Sequence, residues 1–82
     1  MDFIEKVRII EDLNRWAWKN NNYELSYLDV LILENVLDEI EKGYPTLNEA
    51  VERVEKNIGV RISNDPFLMG LIKKMIEIKN VY

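Results

Sequence analysis

Three helix-start signals constrain this chain more than any other feature. Ser26 stands three residues before Asp29, Thr46 stands three before Glu49, and Asp65 immediately precedes Pro66. The first two are capping-box spacings, in which side chains satisfy backbone N–H groups that have no partner inside the helix. The third is an N-cap followed by a proline at the first helical position, where the missing N–H costs nothing. Between these signals apolar residues recur every three or four positions, so the 82 residues read as four short helices near 2–19, 26–42, 46–58 and 65–79. The expected architecture is a single all-α, or nearly all-α, domain spanning 1–82, with a corner between the third and fourth helices.

Each segment carries its own pattern. Phe3, Val7, Ile10, Leu13 and Ala17 form the stripe of the first helix, widened by Ile4, Ile9, Trp16 and Trp18. It should end near Lys19, because Asn20, Asn21 and Asn22 favour turns and tolerate left-handed dihedrals. Tyr27, Leu28, Val30, Leu31, Ile32 and Leu33 leave almost no polar face, which predicts a central second helix covered on several sides. Its later turns, with Asp38, Glu39 and Glu41, should reach solvent before Gly43 and Pro45 end it. Leu47, Ala50, Val51, Val54 and Ile58 give the third helix its apolar side, Gly59 stops it, and 60–62 reads as a short extended piece. The fourth helix should bury Phe67, Leu68, Leu71, Ile72, Met75 and Ile78, turn Pro66, Met69, Lys73, Ile76 and Glu77 outward, and end at Asn80.

Composition narrows the function classes. Hydrophobic residues at 48% with charged residues at 32% make a globular mixture rather than a disordered one. Histidine and cysteine are both absent, which removes disulfides, the common zinc sites, thiol catalysis and the usual near-neutral proton carrier. Glu49, Glu52 and Glu55, like Glu34 and Asp38, have helical spacing, but with Arg53 and Lys56 interleaved they read as solvated faces rather than a metal site. Tyr23, Tyr27, Tyr44 and Tyr82 sit near helix ends, where a ring can pack while its hydroxyl stays wet. No catalytic residues, metal ligands or cofactor are therefore expected, and an enzyme is not. The start of the chain lacks a basic and then apolar leader, and no apolar run is long enough to span a bilayer, so the expected location is the cytoplasm, away from membranes.

The net charge of -4 disfavours nucleic acid, yet its distribution is uneven. Residues 60–82 carry Arg61, Lys73, Lys74 and Lys79 against Asp65 and Glu77, the one net basic stretch of the sequence. The order of elements, with LSYLDVLILENVL (25–37), TLNEAVERV (46–54) and SNDPFLMGLIKKMIEIKNVY (63–82), resembles the N-terminal part of MarR-type winged-helix transcription regulators. The family's wing and C-terminal dimerisation helix have no counterpart in these residues. The resemblance implies a helix-turn-helix or winged-helix-like corner, double-stranded DNA as partner, and a homodimer, which would be built through the first helix with Trp16 and Trp18. On that reading Arg61, Asn64, Lys73 and Lys74 contact phosphates and base edges. The bland reading makes Asn64 a helper cap and the bases ordinary surface.

A second reading is a helical protein-interaction module, an adaptor or inhibitor without DNA affinity. Its interface would use the apolar outward positions Met69 and Ile76 together with Trp16 or Trp18. The two tryptophans lie two residues apart and point to different sides of a helix, so one marks an interface, or one is core and the other lies under the asparagine loop.

Overall fold

The computed structural model describes residues 1–43 and 46–82, so the expectations for Tyr44 and Pro45 lie outside the described residues. Four helices run α1 Phe3–Asn21, α2 Tyr27–Glu41, α3 Leu47–Ile58 and α4 Pro66–Lys79, and no strand forms among the described residues. Each start has a side-chain cap. Asp2 accepts the Glu5 N–H at 2.8 Å, and Ser26 and Asp29 exchange both bonds of a capping box, at 3.1 and 2.9 Å. Thr46 accepts the Glu49 N–H at 3.2 Å, and Asp65, followed by Pro66, accepts the Leu68 N–H at 3.1 Å. α1 runs two residues past Lys19, because Asn20 bonds back to the Trp16 carbonyl and the left-handed residue is Asn22, at φ 51°. Gly59 takes φ 69° at the end of α3, a conformation in which a Cβ would crowd the following carbonyl.

α1 packs along α4 and α2 along α3, while α2 also reaches both α1 and α4. The result is two layers joined through α2. α1 and α2 run antiparallel, held by Lys6 Nζ against Asp38 at 2.6 Å and by the Asn14 amide oxygen accepting the Leu25 N–H at 2.9 Å. Leu13 and Ala17 of α1, Leu33 and Val36 of α2, Val54 of α3, and Leu71, Ile72 and Met75 of α4 are fully buried in one shared core. The Cα radius of gyration, 11.8 Å, is that of a tightly packed chain of this length, about 11.7 Å. Among the described residues no helix is long and apolar enough to cross a membrane.

The α3–α4 connection is anchored rather than loose. One Glu55 carboxylate oxygen accepts the backbone N–H groups of Ile62 and Ser63, at 2.7 and 3.0 Å, and Ile62 is buried in the core. These bonds hold the Glu55 carboxyl below its ordinary range, and they replace the solvated role expected for it. Residues 60–62 pair with no strand. No Cα of α3 lies within 8 Å of one in α4, a looser corner than the packed helix pair of a helix-turn-helix.

Four expectations are corrected by the packing. The first turns of α2 are uncovered, with Tyr27 85% exposed and Leu28 and Leu31 also open, because its neighbours bury the side bearing Ile32, Leu33, Val36 and Leu37. Glu39, expected in solvent, is 4% exposed under α3, where Asn57 bonds its carboxylate at 3.3 Å. Phe3 and Ile4 stand in solvent at the start of α1, where Met1 packs against the core in their place. α4 buries Leu68, Leu71, Ile72 and Met75 and exposes Pro66, Lys73 and Glu77 as expected, but at the edges of that face Phe67 is 43% exposed, whereas Met69 and Ile76 are half-buried against the core.

Candidate functional site

The packing of α1 on α4 leaves an open apolar groove. From α4 it takes Phe67, Gly70, Leu71, Lys74 and Ile78, a single helical face, and from α1 Asp12, Trp16 and Asn21. Trp16 lines both halves, and the Lys74 ammonium lies 5.4 Å from its ring centroid, a cation–π contact. Gly70 keeps the middle open, since a Cβ built there would meet no atom within 4 Å.

Both ends of the groove are pinned. At one end the Phe67 ring meets Tyr23 edge to face, 4.8 Å between centroids, and the Tyr23 hydroxyl donates to Asp29 in the first turn of α2. The bond to Asp29 raises the Tyr23 hydroxyl above its usual range. At the other end the Tyr82 hydroxyl donates to the Asp12 carboxylate, which Arg15 also engages. The hydrogen bond from Tyr82, and then Arg15, hold Asp12 below the ordinary carboxylate range, and Tyr82 is correspondingly raised. Val81 and Tyr82 remain largely exposed beside this bond.

Charge is divided between the layers. α1 has Lys6, Arg8, Arg15 and Lys19 against Glu5, Glu11 and Asp12, a net +1, and α4 has Lys73, Lys74 and Lys79 against Glu77, a net +2. α2 has Asp29, Glu34, Asp38, Glu39 and Glu41 with no base, a net -5, and α3 is at -1. The overall -4 therefore hides a basic layer holding the groove and an acidic layer behind it. The basic rim is close at hand, because Arg8 and Arg15 both act electrostatically on Tyr82.

Of the residues singled out from sequence, the fold brings Trp16 and Lys74 together and scatters the rest. Arg61 and Asn64 are exposed in the α3–α4 connection, and Lys73 is exposed on α4, about 100° around the helix from Lys74. Trp18 is 59% exposed on the outward side of α1, beside Arg15 and Lys19 and away from the Trp16 groove. Met69 and Ile76 serve the core more than the surface. Sequence reasoning missed Phe67, Gly70 and Val81. The available signal was a glycine on the same face as Phe67 and Lys74 inside an otherwise crowded helix, which marks an open strip rather than a packed one. Among the described residues the groove is lined by no nucleophile beside a base and no pair of free carboxylates. No family model, curated protein or solved structure matches the chain.

Proposed function

We propose that this protein is a small helical protein-interaction module that receives its partner in the α1/α4 groove. One observation carries the reading: Phe67, Trp16 and Tyr82 form a partly open aromatic line with a basic rim, along a groove whose middle is kept free by Gly70. Exposed aromatic side chains beside Arg and Lys are the composition of interaction hot spots, and nothing in the folded monomer requires Phe67 or Val81 to remain in water. Such a groove seats projecting side chains of another polypeptide.

The second reading, a DNA-binding regulator of winged-helix type, draws support from the net +3 of the α1/α4 layer and from the exposure of Arg61, Asn64 and Lys73. It draws none from the relation of α3 to α4, which stand too far apart to brace a recognition helix. The net charge and the missing brace favour the interaction module.

The two readings separate in one pair of measurements. A photo-reactive amino acid in place of Phe67 should crosslink a discrete protein in cells that express this chain, and Gly70→Glu, which fills the groove, should abolish the crosslink. Duplex DNA titrated with protein at low salt should show no affinity. A salt-dependent affinity that disappears on replacing Arg61 and Lys73, without any Phe67 crosslink, would overturn the module reading in favour of DNA.

A further inference from the structure

We infer that the partner in the groove is a second copy of this chain, bound head to tail, with the outer face of α2 from one copy seated in the α1/α4 groove of the next. This inference rests on the reading that the groove receives a polypeptide. An occupant has to supply apolar anchors for Trp16, Phe67 and Val81 and negative charge for Lys74 in the groove and Arg8 near its Tyr82 end, where Arg15 is already paired with Asp12. The chain itself carries a face of that kind. Tyr27 is 85% exposed at the start of α2, Leu28 and Leu31 are open beside it, and Glu34 continues the same line at one helical turn from Leu31. α2 has five acidic residues and no basic one.

Arg15 is paired with Asp12, and Asp29, Asp38, Glu39 and Glu41 of α2 bond Tyr23, Lys6, Lys42 and the Met1 ammonium, so the open groups are Arg8 on the rim and Tyr27, Leu28, Leu31 and Glu34 on α2. The side chains at 27, 28 and 31 stand in solvent, so they do not reach the groove of their own chain. Among the described residues Arg8 makes no hydrogen bond or ion pair, and Lys74 is engaged by the Trp16 ring. The faces are complementary to each other and unlike themselves. A basic groove cannot pair with its own copy across a two-fold axis, and neither can an acidic helix, because like charges would oppose. Complementary and dissimilar patches make a heterologous contact, which propagates into a ring or an open chain rather than closing as a symmetric dimer.

The test uses light scattering and sedimentation on the full chain and two surface variants. Gly70→Glu blocks the groove at a helical position where a new Cβ meets nothing within 4 Å. Tyr27→Lys with Glu34→Lys reverses the α2 face at two exposed sites. Circular dichroism verifies that both variants keep their helices. At low salt the parent chain should show a mass that rises with concentration above 9.8 kDa, with association weakened roughly tenfold or more at about 0.5 M salt. Each variant by itself should remain at 9.8 kDa, and their equal mixture should form a dimer and nothing larger, since only one good groove and one good α2 face remain per pair.

A parent chain that stays monomeric at low salt and high concentration overturns the inference, as does a mixture that stays monomeric or a variant that still associates. A monomeric chain that nevertheless crosslinks another protein through position 67 leaves the module reading in place and removes self-association alone. A monomer with no crosslink removes both.

Discussion

Gly70 is the position where the interests of folding and of the groove part. It sits inside α4 with ordinary helical backbone, so its freedom to adopt positive φ is unused, while a glycine in a helix interior loses about 1 kcal/mol relative to alanine. Gly70→Ala should raise the unfolding free energy by about that amount and lift the melting temperature by roughly 4–8 °C. Thermal melts followed by circular dichroism would measure it, and an unchanged or lower midpoint would show that the site resists even a methyl group. Glu39 offers a second residue-level comparison. Its Oε1 accepts from Lys42 and Asn57, but Oε2 has no partner although the side chain is almost wholly buried. Removing a buried, half-satisfied carboxylate while leaving only exposed partners behind should not destabilise the fold. Glu39→Met is expected to match or exceed the parent in urea denaturation by about 1 kcal/mol. A loss of 2 kcal/mol or more would mean the carboxylate holds α3 more firmly than these bonds account for.

At the scale of the elements, α3 is the helix with the least support. Among the described residues it packs along α2 and no other helix, through Ala50, Val51 and Val54, with the Glu55 clasp on Ile62 and Ser63 as its second tether. Helices with few neighbours open locally before the whole domain unfolds. Native-state hydrogen exchange should therefore find the central α3 amides opening about 1–2 kcal/mol more readily than those of α1, α2 and α4, and equal protection in all four helices would refute it. The starts of the helices were legible in the sequence for a related reason. A cap is a bond between residues three apart, so Ser26 with Asp29, or Asp65 with Leu68, reveals itself without knowledge of the rest of the fold. The buried face of α4, with Leu68, Leu71, Ile72 and Met75, was legible, but its edges were not. Phe67, Leu68, Met69, Leu71, Ile72, Met75, Ile76 and Ile78 cover more than half of its circumference, and only the positions of α1 and α2 decide that Phe67 lies open and Met69 does not. The burial of Glu39 depends in the same way on α3, far along the chain. For the groove, Trp16 and Lys74 were visible singly, while their contact across 58 residues needed the α1/α4 packing that no local pattern encodes.

The whole molecule gains a simple pH profile from what it lacks and from where its carboxylates are bonded. With no histidine in the sequence, no side chain has an ordinary titration in the middle of the physiological range. On the acid side, Asp12 is held low by Tyr82 and Arg15, and Glu55 by the N–H groups of Ile62 and Ser63. A carboxylate whose folded pKa is depressed contributes stability above its unfolded value, and that contribution fades as pH falls through the folded value. The acid limb should therefore begin as pH falls into the ordinary carboxylate range, near 4, extend down through the lowered folded values, and involve the α1/α4 groove and the α3–α4 connection together. On the alkaline side the Met1 ammonium is raised from 8.0 by its bond to Glu41, the Tyr23 and Tyr82 hydroxyls from 10.0, and Lys6 from 10.5 by Asp38. A raised folded pKa contributes stability below the unfolded value that disappears as pH climbs through the folded one, so the decline should start above about pH 8 and steepen above about pH 10. Between about pH 5 and pH 8 the melting temperature should form a plateau, flat to within a few degrees, in a series of melts from pH 3 to pH 11. A slope across that interval would require a group titrating there that the bonds described above do not supply. The plateau also sharpens the test of assembly: any change in association between pH 5 and pH 8 would then belong to the contact between copies and not to the folding of each one.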